Sequence, residues 1–418
     1  MSVPIMHDLP ALRFLACGSV DDGKSTLLGR LLHDAGAVPP DALEAARLAS
    51  RERGLGELDY SLLTDGLLSE REQGITIDVA YRYFGSGHRR FILADTPGHA
   101  QYTRNMATAA STADLAILLV DAAKGILPQT RRHAALAHLL GVRHLVVAVN
   151  KLDALAWSKE AFERVREDFN AFASTLGIAD ADFIPVSALH GDMVVARGSH
   201  LDWYTGPTLL EALEQAALED ARAAGPFRFP VQLVRRHEGE RRYLGRVESG
   251  AVRVGDDVAA WPSGFPAKVK RLELGGVALE TAVAGQSIAI QLHEDVDLPR
   301  GGLLADRVSA PVLVRAFDAT LCWFGEQPLN LGRRYGLRLG PAETGARVEG
   351  LASIAGLEGP REEAHAALET NGLALARIAC RDTLPVDTYD AHRAGGAFIL
   401  VDEVTNAPVA AGMIRRGA

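Results

Sequence analysis

The chain has 418 residues and a formal net charge of −9 at neutral pH. This length accommodates two or three domains, and the acidic balance disfavours a dedicated nucleic-acid binder, which would more often be basic. The three cysteines are too few and too scattered for a disulfide framework or a metal knuckle, so we expect reduced thiols and a cytoplasmic protein. A signal-type segment and a run of about 18 apolar residues are both lacking, so no membrane association is expected.

The first motif is a glycine-rich loop between a strand and a helix. Residues 12–17 are mainly apolar and predict a buried strand, while the apolar spacing in residues 25–32 predicts a helix. The segment between them fits G-x-x-x-x-G-K-[ST], which is typical of a phosphate-binding loop; a chance glycine-rich turn is the alternative. Lys24 is expected to reach the β- and γ-phosphates, and the Ser25 hydroxyl to bind Mg²⁺. The residues assigned to this loop are Gly18, Ser19, Val20, Asp21, Asp22, Gly23, Lys24, Ser25 and Thr26.

A long, largely polar segment, residues 54–78, precedes a predicted strand at 79–84. Loops of this length in compact domains are usually functional or disordered. Thr76 lies near its end and is expected to give a second hydroxyl to Mg²⁺ when the segment closes over a nucleotide. This is the ordering element of GTPase switches. Without the other motifs, the segment would be interpreted as a linker.

A second switch motif follows the apolar run 91–94 and comprises Asp95, Thr96, Pro97, Gly98 and His99. A carboxylate at the end of such a strand is suited to hold Mg²⁺, so Asp95 joins Ser25 and Thr76 as a predicted metal ligand. Because Gly98 has no side chain, its N–H is able to approach a γ-phosphate closely. His99 is the best candidate for positioning the attacking water; the alternative is a surface histidine without a role. The predicted catalytic residues are His99, Thr76 and Lys24.

Two later segments predict a reader of the nucleotide base. Asn150, Lys151 and Asp153 follow a buried-strand run at 144–149. The two oxygens of Asp153 match the adjacent N1–H and N2–H₂ donors of guanine, a pair that adenine lacks. Asn150 is expected to bond the N7 edge and to brace the loop, and the Lys151 stem to pack on the ring face. The second segment follows the predicted strand 183–186 and is expected to offer a backbone N–H to guanine O6; it contains Ser187, Ala188 and Leu189.

The pattern along the chain changes near residue 223. Before it, strands alternate with helical segments at 129–140, 159–176 and 208–223, which predicts an α/β domain with a mostly parallel sheet covered on both faces. Short β-like runs punctuated by Gly and Pro follow and predict antiparallel barrels at 226–309 and 310–418. A cluster of basic side chains flanks an expected hairpin loop, as a solvated turn or a partner contact: Arg235, Arg236, His237, Arg241 and Arg242.

Together the motifs resemble the elongation-factor-Tu class of GTPases, and within it the GTPase subunits of bacterial sulfate adenylyltransferase. Three segments carry the second resemblance: 18–26, where translation factors usually have histidines around the aspartate, 70–84 and 101–108. Trp203 and Tyr204, followed by residues 206–210, also resemble those subunits. The similarity is dense to about residue 213 and thinner beyond it. Ala100 and Met193 depart from the family pattern, which usually has Glu and Asn there.

The resemblance implies a reaction in which ATP and sulfate give adenosine 5′-phosphosulfate and pyrophosphate, driven by hydrolysis of GTP with Mg²⁺. It also implies a heterodimer, or a higher assembly, with a smaller catalytic subunit. Since the chain has one phosphate loop, with a guanine-type base reader, chemistry on ATP and sulfate is expected on that partner. No adenylylsulfate kinase activity is expected, because a second phosphate loop is lacking.

Two other functions stay open at this point. One is a translation factor that binds aminoacyl-tRNA, which the acidic charge and the residues Ser19 and Asp22 of the phosphate loop disfavour. The other is a GTP-dependent regulator without metabolic output. Binding of tRNA in the GTP state would favour the first, and stimulated adenylyl transfer with a partner would exclude the second.

Overall fold

The computed structural model describes residues 11–54, 58–64, 79–97, 103–178, 181–217, 221–237, 239–352 and 367–417. They divide into two compact units, of which the first contains a sheet flanked by helices and the second contains two barrels. Thr76, Gly98, His99 and Ala100 lie outside the described residues. Within the described ranges, no helix is both long and apolar enough to cross a membrane.

The sheet of the first unit has six strands, in the spatial order β2-β3-β1-β4-β5-β6. Their bounds are β1 Leu12–Gly18, β2 Ala80–Gly85, β3 Arg90–Asp95, β4 Leu115–Asp121, β5 His144–Asn150 and β6 Ala181–Pro185. Strand β2 runs antiparallel to β3, and all other neighbours are parallel. This confirms the predicted mostly parallel sheet. Because parallel strands end at one edge, the predicted site residues at the ends of β1, β3 and β5 share that edge.

In the part of the first unit that the structure describes, six α-helices accompany this sheet: α1 Lys24–Asp34, α2 Pro40–Glu52, α3 Thr103–Ala110, α4 Pro128–Leu139, α5 Lys159–Leu176 and α6 Leu209–Gln215. Helix α5 has the bounds that the sequence predicts because both of its ends carry strong local signals. The Ser158 hydroxyl accepts a hydrogen bond from the Ala161 N–H at 3.1 Å, and Gly177 ends the helix in a left-handed conformation at φ 72°.

The prediction of one helix over 208–223 is wrong. Helix α6 ends at Gln215, and a separate short helix, α7, covers Ala221–Ala224. The reason lies in Arg89, a buried side chain before β3 whose guanidinium donates to the carbonyls of Leu213, Glu214 and Ala216. These acceptors lie at the end of α6, where a helix leaves its last carbonyls without internal partners. Arg89 satisfies them and thereby ends the helix.

The first barrel of the second unit is a ring of six antiparallel strands, β10-β15-β7-β8-β14-β11, closed by pairing between β10 and β11. The bounds of its strands are β7 Arg228–His237, β8 Glu240–Arg246, β10 Asp257–Trp261, β11 Phe265–Leu274, β14 Ser287–Leu292 and β15 Leu303–Asp306, with the short strands β9 Ala251–Arg253, β12 Val277–Leu279 and β13 Thr281–Val283 outside the ring. Phe229, Val231 and Tyr243 are fully buried in its interior. Strands β7 and β8 form the predicted hairpin, with His237 opposite Glu240.

The second barrel closes in the order β16-β19-β18-β17-β20-β21. Its strands are β16 Val312–Trp323, β17 Arg334–Leu339, β18 Ala342–Ala352, β19 Leu373–Val386, β20 Ala397–Asp402 and β21 Pro408–Gly417, and one short helix, α8 Arg393–Gly396, precedes β20. Phe317, Leu337 and Ile378 occupy its interior. Both predicted antiparallel barrels are therefore present.

A buried ion pair joins the two barrels inside the second unit. The Arg228 guanidinium, at the start of β7, donates to both carboxylate oxygens of Asp387, just after β19, at 2.9 and 2.8 Å. Burial alone would raise the pKa of Asp387, but hydrogen bonds and positive charge from His392 and Arg228 hold that pKa at about 2. The pair thus stays ionised at neutral pH.

Candidate nucleotide-binding site

The phosphate loop lies between β1 and α1, as the sequence predicts. Asp21 and Gly23 both have left-handed backbone conformations, at φ 66° and 92°. A Cβ atom at Gly23 would come within 2.5 Å of the Asn150 Nδ2 atom, so only glycine fits both the conformation and the space. The loop leads directly into the amino terminus of α1 at Lys24, where the helix dipole favours an anion.

Lys24 forms a buried ion pair with Asp95, which lies at the end of β3. The predicted phosphate lysine and the predicted Mg²⁺ carboxylate therefore lie side by side. Thr96 fixes the end of β3 against β1, because its hydroxyl donates to the Ala16 carbonyl at 2.7 Å. The structure thus brings the phosphate loop and the first half of the second switch motif together.

Asn150, in the first base-reading segment, contacts both the phosphate loop and the second base-reading segment. It is buried, and its Nδ2 atom donates to the Asp22 carbonyl at 2.8 Å, while its Oδ1 atom accepts from the Ala188 N–H at 3.0 Å. The side chain therefore braces the phosphate loop against the second base-reading segment, as the sequence predicts. Because the Nδ2 amide has a second hydrogen, the bond to the N7 edge stays a prediction.

Asp153 and Ser187 face each other from the two base-reading segments. The Ser187 hydroxyl donates to the Asp153 Oδ1 atom at 2.7 Å, and the same hydroxyl accepts from the His190 N–H at 3.1 Å. Asp153 is only partly buried, and one of its oxygens is held by this bond. The carboxylate therefore has a fixed orientation, as a selective base contact requires.

Lys151 is held in a left-handed conformation, at φ 62°, and extends back over the phosphate loop. Its ammonium donates to the Asp21 carbonyl and pairs with Asp121 at 3.0 Å. Burial would raise the pKa of Asp121, but the hydrogen bonds from Lys151 and from the Ala123 N–H keep that pKa below its usual value. The lysine stem consequently lies between the two loops, where the sequence places the flat face of the base.

Sequence reasoning missed several supporting residues. The Thr130 hydroxyl, on α4, lies 3.3 Å from the Ser19 hydroxyl. His133, one turn further along α4, is buried, and burial together with the charges of Arg132 and Lys24 lowers its pKa to about 3. A neutral His133 therefore packs beneath the loop. An isolated Thr and His on a helix belong to no motif, so no pattern in the sequence singles them out.

Arg30 on α1 is a second missed support, because its guanidinium donates to the Leu189 carbonyl at 3.0 Å and lies over the Tyr60 ring at 4.7 Å. Met193 is buried and has a left-handed conformation, at φ 62°, with its N–H donating to the Ala196 carbonyl. The departure at Met193 thus falls in a tight turn behind the second base-reading segment. The described residues bring together the phosphate loop, Asp95 and the two base-reading segments. Thr76, Gly98 and His99 lie outside the described residues.

A parallel sheet whose first strand leads through a glycine-rich loop into a helix, with a base-reading edge beside it, defines a P-loop GTPase domain. Residues 10–219 match the elongation factor Tu GTP binding domain, and residues 316–415 match the GTP-eEF1A C-terminal domain-like family. The class is therefore that of elongation-factor-Tu-like GTPases.

Comparison with curated relatives identifies the family of this chain within that class. Sulfate adenylyltransferase subunit 1 of Citrobacter koseri is 46% identical over 408 residues, which are 97% of this chain and 86% of that protein. The subunit 1 of Cronobacter sakazakii is 47% identical over 408 residues, with the same coverage of 97% and 86%. The bifunctional enzyme NodQ of Rhizobium sp. is 48% identical over 406 residues, 96% of this chain, and the chain spans 63% of its length. The chain belongs to the sulfate adenylyltransferase subunit 1 family.

Proposed function

We propose that this chain is the GTPase subunit of a sulfate adenylyltransferase. GTP hydrolysis on this chain drives the formation of adenosine 5′-phosphosulfate and pyrophosphate from ATP and sulfate, and a separate, smaller catalytic subunit performs that transfer. The observation that carries the proposal is identity of 46–47% with named subunits 1 over 97% of the chain. The cytoplasm is the proposed location, since Cys17, Cys322 and Cys380, all within the described residues, form no disulfide.

The described site supports guanine as the base. Asp153 is oriented by Ser187, and its remaining acceptor positions suit the two adjacent donors of guanine. Adenine offers no such pair, so its binding would leave a carboxylate oxygen desolvated without a partner. Ala188 is bound through its N–H to Asn150, so an N–H for guanine O6 must come from a neighbour in the same segment, of which Leu189 is the exposed candidate.

The phosphates belong at the loop from Gly18 to Ser25, with the Lys24 ammonium beside the terminal ones. Lys24 now neutralises Asp95, and this pair must open for the lysine to reach the phosphates. The hydroxyl of Ser25 and the carboxylate of Asp95 are hard oxygen donors, so the donor set fits Mg²⁺, with Thr76 as the proposed third ligand. When bound, Mg²⁺ supplies charge neutralisation at the β- and γ-phosphates.

Thr76, Gly98 and His99 are proposed to respond to the γ-phosphate: Thr76 through its hydroxyl, Gly98 through its N–H and His99 by orienting the attacking water. A switch drives an uphill step only if its GTP and GDP states differ in free energy toward the partner. These residues must therefore communicate with the surface that the catalytic subunit contacts.

The experiment is an assay of product from ATP and labelled sulfate, with each subunit alone and mixed, with and without GTP. This chain alone should make no product, and the mixture should make more with GTP. Thr76→Ala should remove the GTP-dependent gain and impair GTP hydrolysis, while GTP-independent transfer by the partner survives. Product from this chain alone, or a mixture indifferent to GTP, would contradict the proposal.

A further inference from the structure

An acidic side chain is buried inside the loop that is shaped to bind phosphate. Asp22 is only 1% exposed. Its Oδ2 atom accepts from the Ser19 N–H at 2.9 Å, but its Oδ1 atom has no hydrogen-bond partner among the described residues. An ionised carboxylate has room for about four hydrogen bonds, and burying one that is so poorly satisfied is costly. A phosphate loop needs no acid for its fold, so this cost points to a role in binding.

The charges around Asp22 do not compensate for its burial. The charges of Lys124 and Lys151 lower the pKa of Asp22, and the charge of Asp121 opposes them. Lys151 is already engaged by Asp121 and by the Asp21 carbonyl. On the other side of the loop, Lys24 is paired with Asp95. Burial accordingly raises the pKa of Asp22 to about 6, so its carboxyl group is mostly ionised at neutral pH but close to its midpoint.

The backbone of Asp22 ties the phosphate loop to the base-reading edge. Its carbonyl accepts from Asn150 at 2.8 Å, and its N–H donates to the Ser19 carbonyl at 3.3 Å. Ser19 and Asp22 thus close a four-residue turn through backbone and side chain together. An unfavourable charge on the Asp22 carboxylate therefore destabilises the same turn whose N–H groups must face the phosphates.

We propose that Asp22 is a positioning residue that weakens guanine-nucleotide binding at neutral pH and thereby keeps release of the product nucleotide fast. The proposal rests on the GTP site described above and adds its regulation. A bound nucleotide brings further negative charge to the loop and excludes water from it, and both changes disfavour an ionised, half-satisfied carboxylate. The chain thus binds the nucleotide less tightly and releases it faster.

The test is Asp22→Asn, measured with a fluorescent GDP analogue. The amide keeps an oxygen to accept from the Ser19 N–H but removes the charge. At pH 7 this variant should bind GDP about fivefold more tightly than the unsubstituted chain, mainly through slower release, which corresponds to a rise of one unit on binding from a pKa of about 6 at Asp22. Asp168→Asn is the matched control, because Asp168 is an exposed acid on α5 and its replacement changes net charge equally. Equal release rates in Asp22→Asn and its parent would overturn the proposal.

The pH profile separates a charge effect from a purely structural one. Protonation favours the bound state, so the affinity of the parent should rise as the pH falls from about 8 to about 5.5. The phosphates of GDP titrate in the same range, so the measure is the difference between parent and Asp22→Asn, which should vanish at the acidic end. Asp22→Ala removes the acceptor for the Ser19 N–H as well and should bind less tightly than Asp22→Asn. Parallel pH profiles for parent and Asp22→Asn would refute the charge mechanism.

The same titrations separate the inference from the proposed function. A parent that binds GDP no better than ADP would overturn both. If the unsubstituted chain prefers GDP to ADP, but Asp22→Asn changes GDP affinity no more than Asp168→Asn does, the GTP site stands and only the role of Asp22 is refuted.

Discussion

Replacing Asn150 by Ala tests whether one side chain holds the phosphate loop and the base-reading edge together. The change removes two buried hydrogen bonds, to the Asp22 carbonyl at 2.8 Å and from the Ala188 N–H at 3.0 Å. Each backbone group left unpaired in a buried position costs about 1–3 kcal/mol, so the two together cost about 2–6 kcal/mol. Part of this cost should appear as local opening of the loops and part as lost nucleotide affinity.

Hydrogen exchange at the Ala188 amide gives the most direct measurement, because Asn150 is its acceptor. A local cost of 1–3 kcal/mol predicts exchange faster by about 5- to 150-fold, and the affinity for a fluorescent GDP analogue should fall by at least tenfold. Asn170→Ala is the matched control, since Asn170 is an exposed residue on α5. If Asn150→Ala left both the Ala188 exchange rate and the GDP affinity within twofold of the parent, the bridging role would be refuted.

Three further predictions concern base choice, chemistry and the barrels. Asp153→Asn should weaken GTP binding by about 1.5–3 kcal/mol and favour xanthosine triphosphate, whose C2 carbonyl accepts from the new amide; competition titrations check this, and unchanged GTP affinity would refute it. His99→Ala should leave nucleotide affinity near normal and lower GTP turnover about 100-fold or more with the partner present; turnover at the parent rate would exclude the role. Burial would raise the pKa of Asp387, but His392 and Arg228 hold that pKa at about 2, below its usual value of 3.8. This lowering corresponds to about 2.5 kcal/mol of folding stability, which Asp387→Asn should remove. This stabilisation is full above about pH 4 and is lost as the pH falls toward 2, so unfolding of the parent and the variant should converge in acid; parallel curves would contradict it.

The phosphate loop and the base-reading segments were predictable because each is a short run of sequence with its own local geometry. Helix α5 was predictable for the same reason, since Ser158 and Gly177 mark its two ends. The strands β4, β15 and β21 were missed, although β4 is buried along its whole length. A short apolar run without a neighbouring motif gives a weak signal, because periodicity alone does not separate a buried strand from a buried helix.

Contacts between distant parts of the chain were not predictable. Asn150 and the Asp22 carbonyl are 128 residues apart, so the bracing role of the asparagine was predictable but its acceptor was not. The end of α6 was misplaced because Arg89, far earlier in the chain, satisfies its last carbonyls. At α6 a single polar side chain outweighs the local preference of the segment it contacts.

The hydrogen bonds from Arg89 to the end of α6 limit where this protein can be divided into fragments. A fragment of the first unit that stops before Ala216 would remove an acceptor to which the guanidinium donates and would leave a buried cation short of partners. Such a fragment should aggregate or lose structure along β2 and β3, well away from the cut. Chimaeras that exchange the barrels between relatives should therefore be joined beyond Ala216, and should carry the arginine and the helix end from the same parent.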